Sequence, residues 1–84
     1  MNISYVYKSQ DGKNNICGIK IYSIRKSLYI SQRILAEMMQ VEGIDIDKNA
    51  VQRIEAGKRF VTDIELKAFS KVLNISLDEL LEQN

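Results

Sequence analysis

The 84-residue sequence contains no histidine, proline or tryptophan, one cysteine and only four glycines. Without histidine, no imidazole can act as a general base or bind a metal. The single Cys17 can form neither an intramolecular disulfide nor a thiolate metal cluster, which favours a reduced, cytoplasmic setting. Apolar runs are only a few residues long, so neither a signal peptide nor a membrane-spanning segment is expected.

The residues that are plentiful favour helices. Hydrophobic residues make up 45% of the chain and charged residues 27%, and Leu, Ile, Glu, Lys, Arg and Gln are common, all acceptable helix formers. A chain of this length can close one core but not two, which excludes the large catalytic folds. The composition therefore predicts a single all-α domain.

The formal net charge is only +1, but the charges are unevenly distributed. Residues 1–33 carry six basic residues and one acid, and residues 34–47 carry four acids and no base. Residues 48–59 have four basic residues and one acid, and residues 60–84 have five acids and two lysines. Because salt limits electrostatic attraction to about 8–10 Å, one basic face suffices to attract phosphates despite a near-zero total. A solvated charged face is the alternative.

Four helix starts are marked by one pattern, in which a capping residue is preceded by an apolar residue and followed by another four places later. Two of the four also have glutamate three places later, as in a capping box. The capping residues are Ser31, Asp47, Thr62 and Ser76. Residues suited to the left-handed conformation mark three helix ends, at Gly43, Gly57 and Asn74. The predicted helices are therefore 32–42, 48–56, 63–73 and 77–82.

An earlier helix is indicated by the spacing of Cys17, Ile21, Ile24 and Leu28, which places an apolar stripe on one face. It is expected to begin near Asn15. The first 14 residues differ, because apolar and polar residues alternate there before an Asp-Gly turn signal. We expect residues 1–14 to be either a mobile arm or a short strand or hairpin, and residues 15–84 to form the domain.

Three pieces of sequence carry a family resemblance. They are Ile30-Ser31-Gln32 followed by Leu35-Ala36, the run Val-Gln-Arg-Ile-Glu-Ala-Gly-Lys-Arg at 51–59, and Ser-Leu-Asp-Glu-Leu at 76–80. In this order and at these spacings they resemble the Cro and phage-repressor (XRE-type) helix-turn-helix family over about residues 17–82. The resemblance implies a five-helix orthogonal bundle. It also implies a bacterial or phage regulator of transcription, most simply a repressor, that binds double-stranded DNA.

One segment departs from the family pattern. The connection at 40–46, between the second and third helices, is about five residues longer than usual in a helix-turn-helix. We expect the second helix to continue for one more turn after Met39 and to stop at Gly43. Ile44 and Ile46 should then fold back onto the core.

The resemblance makes helix 48–56 the recognition helix and implies that Lys48, Asn49 and Arg53 contact bases, with Gln52 nearby. Lysine and arginine can donate to guanine, and asparagine and glutamine can pair with adenine, each good contact contributing about 1–3 kcal/mol of discrimination. The alternative is a solvated polar face.

The resemblance gives a phosphate-positioning role to Gln32, at the start of its helix. Arg33, Lys58 and Arg59 are candidates for further phosphate contacts, although each is equally well explained as solvated. Arg25 and Glu55 are expected to form a structural ion pair that holds the recognition helix.

The apolar residues of the C-terminal half bear on the assembly of the protein. These residues are expected in the core, but some could face a second copy in a homodimer on a two-fold operator. They are Met38, Met39, Leu66, Phe69, Val72, Leu73, Leu77, Leu80 and Leu81.

A protein-binding module of the same fold, such as an antitoxin or an anti-regulator, is the alternative function. An enzyme is not expected, because the candidate carboxylates Asp47 and Glu65 serve as caps and no base or nucleophile accompanies them. No cofactor, metal or small-molecule ligand is expected.

Overall fold

The computed structural model describes residues 12–82, and every regular element in that range is an α-helix. Residues 1–11 of the predicted arm, together with residues 83 and 84, lie outside the described part. The five helices are α1 (Gly18–Ser27), α2 (Gln32–Val41), α3 (Lys48–Glu55), α4 (Asp63–Leu73) and α5 (Leu77–Leu80). The predicted all-α, five-helix fold is confirmed, and α5 ends two residues earlier than predicted.

The four predicted helix starts are confirmed by hydrogen bonds. Each capping side chain accepts from the backbone amide three residues later: Ser31 from Ile34, Asp47 from Ala50, Thr62 from Glu65 and Ser76 from Glu79. At Thr62 the Glu65 side chain also accepts from the Thr62 amide, which completes the capping box. These bonds satisfy amides that a helix leaves without an internal partner.

The three predicted helix ends are also confirmed. Gly43, Gly57 and Asn74 all have positive φ, and two backbone hydrogen bonds close the last turn at each of them. A fourth left-handed residue, Tyr29 at φ 58°, ends α1 in the same way. The sequence did not point to it, because a tyrosine rarely adopts this conformation.

The long connection between α2 and α3 folds as predicted. The amide of Gly43 donates to the Gln40 carbonyl at 2.9 Å, and the amide of Ile44 donates to the Met39 carbonyl at 3.0 Å. Ile46 is buried, Ile44 packs against the core, and Gln40 Nε2 donates to the Ile46 carbonyl at 2.8 Å. The added residues are therefore absorbed within the domain, and α3 begins at its expected cap.

Helix α1 begins three residues after Asn15 and ends before Leu28. Its first residue is Gly18, after the N-cap residue Cys17, and Asn15 Oδ1 accepts from the Gly18 amide at 2.8 Å. The expectation that Leu28 belongs to the buried stripe is wrong, since Leu28 is 47% exposed. The helix ends at Ser27, and the turn at Tyr29 carries Leu28 off the buried face.

The core lies where α1, α2, α3 and α4 meet. Phe69 is its largest fully buried side chain, and Ile21, Leu35 and Ile54 pack with it from the other three helices. Of the predicted C-terminal core residues, Leu77 and Leu81 remain partly exposed. None of the helices in the described range is long and apolar enough to cross a membrane.

Candidate nucleic-acid interface

Helix α3 has one buried face and one exposed polar face. Val51 and Ile54 are fully buried, at the i, i+3 spacing of one helix face. The side chains of the four predicted base-contacting residues are exposed, and none of them makes a hydrogen bond or an ion pair with another residue of the range 12–82. They are Lys48, Asn49, Gln52 and Arg53. This leaves a row of donors and acceptors available to a ligand.

A buried ion pair fixes α3 to α1. Glu55 accepts from Arg25 Nε at 2.6 Å and from Arg25 Nη2 at 3.0 Å, and the two side chains are only 5% and 8% exposed. Arg25 Nη1 also donates to the carbonyl of Ile30, just before α2. The hydrogen bonds to Glu55 raise the pKa of Arg25 above its ordinary value. One guanidinium thus connects α1, α3 and the chain that leads into α2.

Gln32 belongs to the same cluster. Its Nε2 donates to Glu55 Oε1 at 2.9 Å, so its side-chain amide is anchored within the protein. Gln32, Ser31 and Arg33 line an open groove that reaches Arg25 and Lys48. Arg33 is exposed and lies 3.8 Å from Glu37, a loose contact of the kind that contributes little to stability. The groove therefore joins the N-terminal ends of α2 and α3.

The helix termini differ in charge. The first turns of α2 and α3 contain no acidic residue, whereas α4 begins with Asp63 and Glu65 and α5 with Asp78 and Glu79. Acids in the first turn neutralise the partial positive charge of a helix N-terminus. The positive end of α2, which is capped by the neutral Ser31, is therefore left more available to an external anion than those of α4 and α5. At α3 the carboxylate of the Asp47 cap already lies against the helix end.

Of the two basic residues in the loop directly after α3, only Lys58 is exposed and without a partner among the described residues. Arg59 instead donates to both carboxylate oxygens of Glu65 at 3.0 Å and to the carbonyl of Phe60. The hydrogen bonds from the Arg59 guanidinium lower the pKa of Glu65. The structure thus gives Arg59 an internal partner at the position where the sequence suggested a phosphate contact.

Three residues that hold this region were not identified from the sequence. Asn14 and Asn15 donate hydrogen bonds to carbonyl groups at the end of α3 and in the loop beyond it. Gly18 packs so closely on α3 that an added Cβ would lie 2.0 Å from the Ile54 carbonyl oxygen. A glycine inside a predicted helix was the one available signal, because such a residue often marks a close approach.

Cys17 lies in the core beside these residues. It is fully buried, and burial raises the pKa of its thiol to about 11. A thiol in this state is largely protonated near neutral pH and is a poor nucleophile. Its environment is that of a small core residue.

A short helix with one buried apolar face and one exposed polar face, held against a preceding helix, is typical of a helix-turn-helix DNA-binding domain. A family model described as helix-turn-helix matches residues 21–80. The chain belongs to this family, in its XRE-type branch, as the resemblance predicted. It is a family of DNA-binding regulators of transcription rather than of enzymes. Comparisons with curated proteins and with solved structures gave no match.

Proposed function

We propose that this protein is a sequence-specific repressor of transcription that reads the major groove of double-stranded DNA with α3. The observation that carries the proposal is the set of four exposed polar side chains on one helix that have no partner within residues 12–82. The opposite face of this helix is fixed by burial and by the Arg25–Glu55 pair. An α-helix fits the major groove, where each base pair presents a distinct pattern of donors and acceptors.

Within this proposal, the exposed residues of α3 have separate roles. Lys48 and Arg53 donate to guanine O6 and N7, and Asn49 and Gln52 pair with adenine. The four residues lie within two turns of one helix. They therefore cover only a few neighbouring base pairs, about one half-site of an operator.

Phosphate groups are held beside the bases in the proposed complex. The groove lined by Gln32, Arg33 and Lys48 receives one phosphate, which accepts from the unpaired amides at the start of α2. Lys58 contacts a second phosphate beyond the end of α3. Arg59 contributes mainly by supporting the loop through Glu65 and has a smaller role at the phosphate than the sequence suggested.

Assembly and location complete the proposal. Leu77 at the start of α5 and Leu81 just after its end are apolar but partly exposed, which supports a homodimer on a two-fold operator. The division into an arm at 1–14 and a domain at 15–84 is retained as a prediction. A cytoplasmic location follows from DNA as the ligand and is compatible with a protonated, unpaired Cys17.

Selection from a pool of randomised DNA duplexes, followed by footprinting, tests the function directly. We expect one enriched motif, with two-fold symmetry if the protein binds as a dimer. Arg53→Ala should relax sequence choice at one position, whereas Lys58→Ala should weaken all duplexes about equally and reduce the dependence on salt. Lys67→Ala is the matched control, because it removes the same charge from an exposed site on α4.

Two results would contradict the proposal. One is the absence of an enriched motif, together with binding that does not respond to salt. The other is unchanged binding after substitution of both Asn49 and Arg53. A protein ligand that binds the exposed face of α3 would then favour the alternative function, a protein-binding module of the same fold.

A further inference from the structure

Two consecutive asparagines bind the backbone at the end of the recognition helix. The Asn14 amide donates to the Gly57 carbonyl at 2.8 Å, and Asn14 Nδ2 donates to the Lys58 carbonyl at 3.0 Å. Asn15 Nδ2 donates to the Ile54 carbonyl at 3.0 Å and to the Arg59 carbonyl at 2.8 Å. Four carbonyl groups between residues 54 and 59 are therefore held by side chains or amides from before α1.

The two asparagines differ in what else they support. Asn15 Oδ1 also accepts from the Gly18 amide, so Asn15 contributes to the start of α1 as well as to the end of α3. Within residues 12–82, Asn14 donates hydrogen bonds only to the loop after α3. Its Oδ1 is buried and has no hydrogen-bond partner in the described part of the chain. Asn14 is thus the residue whose removal affects the loop most selectively.

The buried oxygen of Asn14 bears on why an asparagine is present. Its Nδ2 gains a hydrogen bond, which contributes modestly to stability, but the unpaired Oδ1 loses its interaction with water. The two effects are opposite in sign. The side chain therefore contributes less to the free energy of unfolding than its hydrogen bond alone would, although the bond still restricts the position of the loop.

We infer that Asn14 is a positioning residue for DNA binding, which holds Lys58 in place to contact a phosphate. This inference rests on the proposed function. The Lys58 amide donates to the Arg53 carbonyl at 2.9 Å, and Asn14 holds the carbonyl of the same residue. Both sides of Lys58 along the backbone are thus fixed relative to α3, while its side chain stays exposed. When the side-chain bond of Asn14 to the Lys58 carbonyl is removed, the backbone at Lys58 is held less firmly, and the Lys58 ammonium no longer stays within contact distance of the phosphate.

The dependence of binding on salt separates this role from a purely structural one. Each phosphate contact on duplex DNA contributes about 0.9 to the slope of log K against log salt concentration. Loss of the Lys58 contact should therefore reduce the slope by about 0.9. Asn14→Ala should reduce it by a similar amount without removing any charge. The double variant should behave like either single variant, because all three lose the same contact.

The experiment measures binding of the wild-type chain and the three variants to the duplex that the wild type selects from a randomised pool. Fluorescence anisotropy is recorded over a range of KCl concentrations, and circular dichroism checks that each variant is folded. Ser70→Ala is the control, because it removes a hydrogen bond from a side chain to a backbone carbonyl at the end of α4, away from α3. It should keep the wild-type slope.

The outcomes distinguish the inference from the function on which it depends. A reduced slope for Asn14→Ala, with no further loss in the double variant, supports the inference. A wild-type slope for Asn14→Ala, additive losses, or an unfolded Asn14→Ala chain overturns the inference alone, provided that Lys58→Ala lowers the slope. An unchanged slope for Lys58→Ala would mean that Lys58 does not contact a phosphate, and this result also overturns the inference. If the wild type binds no duplex, the proposed function fails and the inference fails with it.

Discussion

Substitution of Gly18 by alanine should separate α1 from α3. An ideal Cβ at this position would lie 2.0 Å from the Ile54 carbonyl oxygen, 2.9 Å from Asn15 Oδ1 and 3.0 Å from the Ile54 carbonyl carbon. The closest atom belongs to the backbone and already accepts from Asn15 Nδ2 at 3.0 Å and from the Gly57 amide at 2.9 Å. The carbonyl cannot turn aside without losing these bonds, so the helices must move apart by about 1 Å or more to reach van der Waals distance.

The expected cost follows from three contributions. Alanine is favoured over glycine inside a helix by about 1 kcal/mol. Overpacking opposes this by about 1–3 kcal/mol, and each weakened Asn15 hydrogen bond adds about 0.5–1.5 kcal/mol. We therefore expect Gly18→Ala to lower the free energy of unfolding by about 2 kcal/mol. For a domain of this size, that corresponds to a decrease in Tm of roughly 10 °C.

Thermal and urea unfolding, followed by far-ultraviolet circular dichroism, measures this loss. Ser23→Ala is the matched control, because Ser23 is an exposed residue of the same helix and alanine there should be neutral or slightly stabilising. If Gly18→Ala is as stable as the wild type or more stable, the helix propensity of alanine outweighs the contact. The close approach of α1 to α3 would then not constrain the fold.

Three further predictions concern titratable residues. Glu55→Gln should destabilise the fold by about 3–5 kcal/mol, because it leaves the buried charge of Arg25 without its counterion; an unchanged urea midpoint would refute this. The lowered pKa of Glu65 means that its pairing with Arg59 stabilises the fold above the unfolded-state pKa of about 4.3, and that this stabilisation is lost as pH falls through the folded-state pKa. The difference in unfolding free energy between the wild type and Glu65→Gln should therefore shrink in acid, and a constant difference would contradict the assignment. With its pKa near 11, Cys17 should react with a thiol reagent at neutral pH only after urea unfolds the chain, and rapid labelling of the native protein would contradict its burial.

The parts of the fold that could be predicted from the sequence depend on local chemistry. A cap such as Ser31 or Thr62 bonds to an amide three residues away, so the sequence contains both partners close together. The same holds for Gly43 and Gly57, where the left-handed conformation is favoured by the residue itself. The order of the helices and their capped starts followed from these residues.

The features that the sequence did not reveal depend on contacts between distant segments. Asn14 and Asn15 bond to residues about forty positions away, and no local pattern indicates such a partner. Arg59 resembled a surface cation until the structure placed both oxygens of Glu65 against it. Leu28 fitted the helical spacing, but the turn at Tyr29, which is 95% exposed, ends the helix first. The spacing of apolar residues predicts a buried helix face only for residues that lie within the helix.

The capping box of α4 has a consequence for the thermodynamics of association. Glu65 is bonded at once to the Thr62 amide and to Arg59, so the segment after α3 is tied to α4 as well as to the residues before α1. A segment held at both ends loses little conformational entropy when a ligand binds. When DNA binds, this segment should therefore contribute only the heat-capacity change expected from its contact area, without the larger change that accompanies coupled folding.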